Sequence, residues 1–507
     1  MFSKKSVELR IFIPSVAIAL IAILAMLLIP EQAKIVIDEI FQFLTYDLGW
    51  IYLIVVPVLF IFSLWIAFSK YGKIKLGEEN EKKEYSDWSW TAMLFAAGMS
   101  ISVVLLGFVE PINLLSSTPS EIESMSNEAY LWSHMCAQFF EGPIAWGVYG
   151  AASAAIAYTI YVKKVDVLRF SGACSPVLGK QTNRFWGTVL DVLVMLGMIG
   201  GISTSLGMGT PAVTAMISHL TGIPNNTGLT IFVLCIWALL FGTSVFMGLD
   251  KGIKRLSDIN LYLLFALMVI VFFSMPISDF FYLELNSLGM MMDNLGDLLL
   301  GSGIFSDDTF TQDWTIFYWA WWLAFMPMIA LFGARVSRGR TIKQMILGEL
   351  LYGGGGSLLV FGLLGGYSIY LQSSGTLDLV NILSTSGREQ AVISILETLP
   401  FANIILVMVL ILIFVFLATT IDSTAYTLAS VCTPTLSGNE QPTRFNRMVW
   451  ALILLLFSLG LVLIGGLETI QTASILLGFP LIFISIIVII SVLKMFKEHE
   501  KIESLKK

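Results

Sequence analysis

The chain has 507 residues, of which 56% are hydrophobic and only 13% charged, with a formal net charge of −7. That leaves too little polar surface to coat soluble domains of this size, and it marks a polytopic membrane protein. Nucleic-acid binding has no support, because the basic residues are scattered over loops between apolar runs.

Runs of about 20 apolar residues, long enough to cross a hydrocarbon core of about 30 Å, recur along the chain. They fall near 10–29, 50–69, 90–110, 137–161, 186–218, 229–248, 259–275, 314–334, 353–371, 401–430, 446–465 and 471–493. The expected fold class is an all-α polytopic membrane protein with twelve transmembrane helices. The first run follows Lys4 and Lys5 and has full spanning length, so it reads as a membrane helix and not as a cleaved signal peptide. The four cysteines, Cys136, Cys174, Cys235 and Cys432, lie in or beside apolar runs without metal or redox spacing and read as small core residues.

Of the 29 Lys and Arg, only Lys34 and Arg388 fall in alternate loops, leaving 27 on one side. The positive-inside rule then puts both termini in the cytoplasm and the chain in the cell membrane, with lipid as a partner. Residues 276–313 mix apolar and acidic residues with no basic one, as an interfacial helix on the outer side would. The stretch from Arg338 to Leu351 carries Ile342, Met345, Ile346 and Leu350 on one helical stripe and would lie along the inner surface. For both, an ordinary ordered loop is the alternative.

A backbone that leaves the helix inside a bilayer must face protein or a water-filled cavity, so interruptions point toward a binding site. Small residues cluster at 96–102 in the third run and at 200–211 in the fifth, where close helix packing explains much of the pattern. In the tenth, Thr419 and Thr420 beside Asp422 supply more oxygen than packing needs, and hard cations are held by such oxygens. Ionisable residues inside the slab are costly and therefore informative. Glu110 closes the third helix before Pro111, Glu141 lies near the outer end of the fourth, and Asp191 sits early in the fifth. Gly142 and Pro143 follow Glu141, and Trp146 and Tyr149 lie one and two turns on; a shallow, hydrated carboxylate is the plainer alternative. His134 and His219 read as structural.

The densest aromatic stretch is Trp314 to Trp322, with four tryptophans, a tyrosine and a phenylalanine in nine residues. At helical spacing Trp319 and Trp322 share a face while Trp321 points elsewhere. An interfacial aromatic belt accounts for Trp314. Trp319, Trp321 and Trp322 lie deeper and suit a cage of ring faces around an onium cation.

This run, followed by Ala334-Arg335-Val336-Ser337-Arg338-Gly339-Arg340-Thr341, resembles the signature helix of the betaine/choline/carnitine transporter family. The resemblance extends to Gly98-Met99, Glu110-Pro111, Ser205 to Gly209, Gly248 to Gly252 and Gly466 to Thr472, and so covers nearly the whole chain. It implies a leucine-transporter-type core of two inverted five-helix repeats preceded by two extra helices, and a homotrimer. The corresponding divisions are 1–85 for the two leading helices and their loop, 86–275 for the first repeat, 276–313 for the outer segment, 314–493 for the second repeat, and 494–507 for a short cytoplasmic tail.

The resemblance also implies a substrate cage drawn from Trp319, Trp321, Trp322 and Phe325 with Trp146 and Tyr149. Glu141 stands where related betaine and carnitine carriers have a further cage tryptophan. A carboxylate there would pair with a cationic ligand or titrate. For the family's second sodium site, the matching positions are Ala96, Met99, Phe416, Thr419 and Thr420, with sodium as coupling ion and no cofactor. Asn260 stands where sodium-independent antiporters carry an arginine, which favours symport, whereas Ser100 and Ser102 depart from the family's glycines. The expected function is sodium-coupled uptake of a quaternary-ammonium solute. A sodium-independent exchanger is the alternative in the same class, and a ligand-sensing receptor is a further one. Enzymatic chemistry has no metal cluster, nucleophile–base pair or phosphate loop to support it.

Overall fold

The computed structural model describes residues 7–98, 101–165, 168–247, 250–301, 309–434, 441–464 and 467–506. Among these there is no strand, only an isolated antiparallel bridge between Lys75 and Thr341. The chain opens with α1 (Leu9–Leu28), α2 (Pro30–Gln42) and α3 (Trp50–Phe68). Next come α4 (Asp87–Gly98), α5 (Ile101–Leu115), α6 (Asn127–Glu141) and α7 (Pro143–Ala157), then the short α8 (Phe170–Ala173) and α9 (Ser175–Leu178). The long α10 (Phe185–Thr221) leads to α11 (Thr227–Met247), α12 (Asp250–Phe272), α13 (Ile277–Asp293) and α14 (Leu295–Leu300). The second half holds α15 (Ile316–Val336), α16 (Ile342–Gly348), α17 (Gly355–Ser373), α18 (Leu379–Ser386), α19 (Arg388–Glu397), α20 (Ala402–Val431), α21 (Arg444–Ile464) and α22 (Leu467–Lys506).

Eight of the described helical stretches are long and apolar enough to cross a membrane, and a ninth results if the pair 259–272 and 277–293, bent by 103°, counts as one. Length and composition therefore do not return the expected twelve. The expected third, fourth, sixth and seventh runs are the ones that fall short, because they are interrupted, bent or have only a short apolar stretch. The fourth begins ten residues earlier than expected, at Asn127, and breaks at Gly142. The last helix runs straight through the expected boundary at 493.

Helix occupies much of both connecting segments, and the second, from Ile342, runs on into the next candidate span as far as Ser373. α13 and α14 form an arm after the sharp bend at 273–276. His134 Nε2 lies 2.7 Å from Glu284 Oε1 of the arm, and Gln138 Nε2 donates to both oxygens of the same carboxylate at 2.8 and 2.9 Å. Ile342, Met345, Ile346 and Leu350 are all buried. The preceding loop is tied down from the other half of the chain. Arg338 donates to Glu81 at 2.6 Å, and Arg340 donates to Asp87 at 2.6 Å while its guanidinium lies 3.8 Å from the Trp90 ring centre.

The glycines of α10 are packing devices: a Cβ on Gly200 would meet Leu477 of α22 at 2.6 Å, and one on Gly201 would meet Phe325 of α15 at 3.1 Å. Asp191 is sunk in α10 and accepts from both the main-chain N–H and the hydroxyl of Ser171 at 2.9 and 2.6 Å. Cys136, Cys174 and Cys432 are buried, whereas Cys235 is exposed, which corrects its assignment to the core.

Candidate functional site

The site is built around a break in a helix. α6 ends at Glu141, Gly142 takes an extended conformation at φ −80° and ψ −167°, and Pro143 restarts the helix as α7. Proline is favoured at a first helical position because its missing N–H is one that needs no partner there. The break leaves carbonyls at the end of α6 without helical partners. One of them, Phe140 O, accepts the indole N–H of Trp322 at 2.8 Å.

This geometry corrects the depth of Glu141. Fourteen residues of α6 precede it, and its side chain is 2% exposed. It is therefore buried within the protein and not an exposed surface carboxylate. It sits at the C-terminal end of α6, where the helix dipole already favours a cation. Glu110 is corrected in the same way: α5 continues through Pro111 to Leu115, so Glu110 lies inside the helix and does not close it. Its carboxylate accepts from the Tyr318 hydroxyl and, at 2.8 Å, from Asn113 Nδ2. Glu110 and Glu141 lie within electrostatic reach of each other. Neither has an ion-pair partner among the described residues, so the site gathers two acidic groups and no matched base.

Rings close around this place in two groups. Trp146, Tyr149 and Trp322 touch one another, with centroid separations of 5.6, 5.8 and 6.0 Å and tilted or edge-on planes. Trp146 donates to Ser357 Oγ at 3.3 Å, while the Tyr149 hydroxyl is buried without a partner. Trp321 turns to α10, where its N–H points at Gly201 O at 3.4 Å; it stacks on Phe317 at 5.5 Å and meets Phe325 edge-on at 6.1 Å. Trp319 faces α6, packed edge-on against Phe139 and Phe140. Trp319 and Trp322 thus do share the face toward α6 and α7 while Trp321 points away. Of the expected cage residues, the structure brings Trp146, Tyr149 and Trp322 together and holds Trp319, Trp321 and Phe325 on the flanks.

Trp314 is only 9% exposed and belongs to a π-helical turn, Thr311–Thr315, so it is a packed residue and not a belt residue. Sequence reasoning missed Tyr318 and Phe140, which stack face to face at 4.7 Å with an interplanar angle of 6°. The signal was present, since Tyr318 and Trp322 are one helical turn apart.

The expected sodium positions are spread over α4 and α20. Ala96 and Thr420 are half-buried and Phe416 is buried; Met99 lies outside the described residues. Thr419 Oγ1 donates to the carbonyls of Val415 and Phe416 at 3.0 and 2.9 Å, which leaves its lone pairs free to face a cation. Asp422 is engaged elsewhere, accepting from Arg447 Nη2 at 2.8 Å. Asn260 of α12 donates to Leu412 O of α20 at 3.1 Å, and its Oδ1 is buried without a partner.

Long apolar helices packed around a broken helix, two buried acids and a ring cluster define a multi-pass membrane protein. The sequence model described as "BCCT, betaine/carnitine/choline family transporter" matches residues 10–501. The chain belongs to that family, whose members are secondary transporters of quaternary-ammonium compounds. Among solved structures, a Na+-coupled sialic acid symporter in a substrate-bound outward-open state is similar at 13% identity and a TM-score of 0.43, over 88% of this chain and 86% of that one.

Proposed function

We propose that this protein carries a quaternary-ammonium solute by sodium-coupled symport, alternating access around the Trp146–Tyr149–Trp322 cluster. The observation that carries the reading is this cluster, set at a helix break beside buried Glu141. A permanent cation loses hydration on entry, and ring faces together with one carboxylate replace it, each face contributing about 0.5–2 kcal/mol. The rings touch, so an onium group enters by parting them, and Trp319, Trp321 and Phe325 close from the flanks.

Glu141 makes the preferred solute a net cation such as choline, with a carboxylate close to the onium centre tolerated less well. Sodium is coordinated by main-chain oxygens of Ala96, Met99 and Phe416 with the hydroxyls of Thr419 and Thr420. Its coupling role is supported by the free lone pairs of Thr419 and by Asn260 in place of a fixed cation. The reading includes twelve spans in a leucine-transporter-type repeat, cytoplasmic termini and a homotrimer in the cell membrane.

The test is uptake into proteoliposomes. Choline accumulation is expected to require an inward sodium gradient and to collapse in Trp322→Ala. Uptake that ignores sodium but needs substrate inside the vesicle replaces symport with exchange.

A further inference from the structure

Glu349 is a fourth carboxyl sunk among the helices, after Glu110, Glu141 and Asp191, and transport as proposed above makes no use of it. It opens a π-helical turn, Glu349–Gly354, and its side chain is fully buried. π-Turns inside helices are frequent at functional positions. One carboxyl oxygen, Oε1, accepts the Ser153 hydroxyl of α7 at 2.6 Å, whereas Oε2 is buried without a partner. Gly333 of α15 faces the acid: a Cβ there would run into Oε1, so the glycine makes the room the carboxyl occupies.

Among the described residues, no cation answers this carboxyl from the elements around it. On α7 the titratable neighbour is Tyr149, one turn from Ser153, whose hydroxyl is itself unpartnered. On α15, Arg335 donates to the Tyr426 hydroxyl at 2.7 Å. On α4, Asp87 is paired with Lys83 and Arg340, and on α16, Lys343 lies over the Phe68 ring at 4.9 Å. An ionised carboxylate here would lack a counter-charge and leave one charged oxygen bare in an apolar surrounding. A neutral acid leaves only one O–H unpaired, which is the smaller penalty.

The same turn backs the ring cluster. Gly353 lies against the Trp146 ring, and a Cβ on Gly354 would meet Pro143 Cα at 2.7 Å. Movement of the turn therefore moves the wall of the candidate site.

The geometry points to Glu349 as a proton-binding site: it holds a proton while its turn is packed on Ser153 and Gly333, and releases it when that packing opens. The proton comes from water and returns to water, and no other bond forms or breaks. Proton occupancy then biases the conformation that supports Trp146, independently of the coupling ion.

Infrared difference spectra of the purified full chain test this directly. Wild type minus Glu349→Gln at neutral pH is expected to show a carboxylic-acid C=O band that the variant lacks. Loss of carboxylate bands instead overturns the proposal. In proteoliposomes at saturating sodium, choline uptake by wild type is expected to fall several-fold as pH rises through the range where that band disappears, and Glu349→Gln is expected to flatten the dependence. A variant that keeps the wild-type pH profile overturns the idea. Should Gln impair folding, Glu349→Asp retains the acid but withdraws it from Ser153, and the pH at which the band disappears is expected to move; an unmoved band counts against the assignment. The infrared arm needs no solute, so failure of the quaternary-ammonium reading leaves it standing.

Discussion

The Trp322 indole N–H donates to the main-chain oxygen of Phe140 at 2.8 Å, so one side chain both caps the broken helix and lends its ring face to the cluster with Trp146 and Tyr149. These two duties can be separated. Trp322→Phe keeps a ring but strands a buried carbonyl, which costs about 1–3 kcal/mol, and a lower melting temperature in detergent is expected with a smaller loss of solute affinity. Trp322→Ala removes the face as well. Its dissociation constant for choline, read by calorimetry, is expected to rise roughly tenfold or more, since about 1.4 kcal/mol corresponds to a factor of ten.

Glu141 should decide ligand charge. Glu141→Gln keeps the shape and removes the anion at the end of α6. The variant is expected to lose affinity for choline while keeping or improving that for glycine betaine. Competition binding over both solutes checks this, and an unchanged affinity ratio would show that Glu141 does not read charge.

Gly353 permits Trp146 to approach the turn that follows α16. A Cβ at 353 runs into the indole ring, whereas one at Gly355 meets no atom within 4 Å. Gly353→Ala is therefore expected to raise KM for uptake several-fold by displacing Trp146, while Gly355→Ala stays near wild type. Equal effects of the two would remove the steric argument.

Thr419→Ala and Thr420→Ala each delete a hydroxyl from the proposed sodium site. The half-saturating sodium concentration is expected to rise, with uptake at saturating sodium affected less. A sodium titration of uptake reads both quantities.

The loop clamp predicts a pH dependence with a definite sign. Hydrogen bonds from Lys83 and then Arg340 hold the Asp87 carboxyl below its usual range; the Glu78 main-chain N–H, and then Arg338, do the same for Glu81. Carboxyls depressed in the folded state stabilise it above their unfolded values of about 4, and that contribution is lost as pH falls through the lower folded values. Protease cleavage within residues 76–86 is expected to be slow at neutral pH and to accelerate in acid and in high salt. Asp87 is exposed and Glu81 half-buried in a surface loop, so the effect is expected on this loop and not on global unfolding.

The aromatic run, the alternation of basic loops and the amphipathic arm were all legible in the sequence, because each is a pattern of residue types along one segment. What was not legible is depth and direction. Hydropathy could not see that the fourth run starts at Asn127, since Glu128, Ser133, His134 and Gln138 lower its score while Glu284 satisfies two of them from another element. Pro111 reads as a terminus by propensity, yet α5 continues through it to Leu115. Glu349 lies in the stretch from Arg338 to Leu351, where the sequence does not single it out; only the meeting of α7, α15 and the π-turn reveals a carboxyl without a counter-charge among the described residues. The partition of six rings into a cluster and its flanks is likewise a property of helix placement, which spacing within one helix does not determine.

The arm formed by α13 has a mechanical meaning. Its Glu284 grips His134 and Gln138, which stand two turns and one turn before Glu141 on the same rigid half-helix. Tyr282 and Leu285 on the arm are exposed, at 69% and 66%. Arm and half-helix are thereby tied into one connected unit, with exposed apolar side chains at one end and the Glu141 carboxyl at the other.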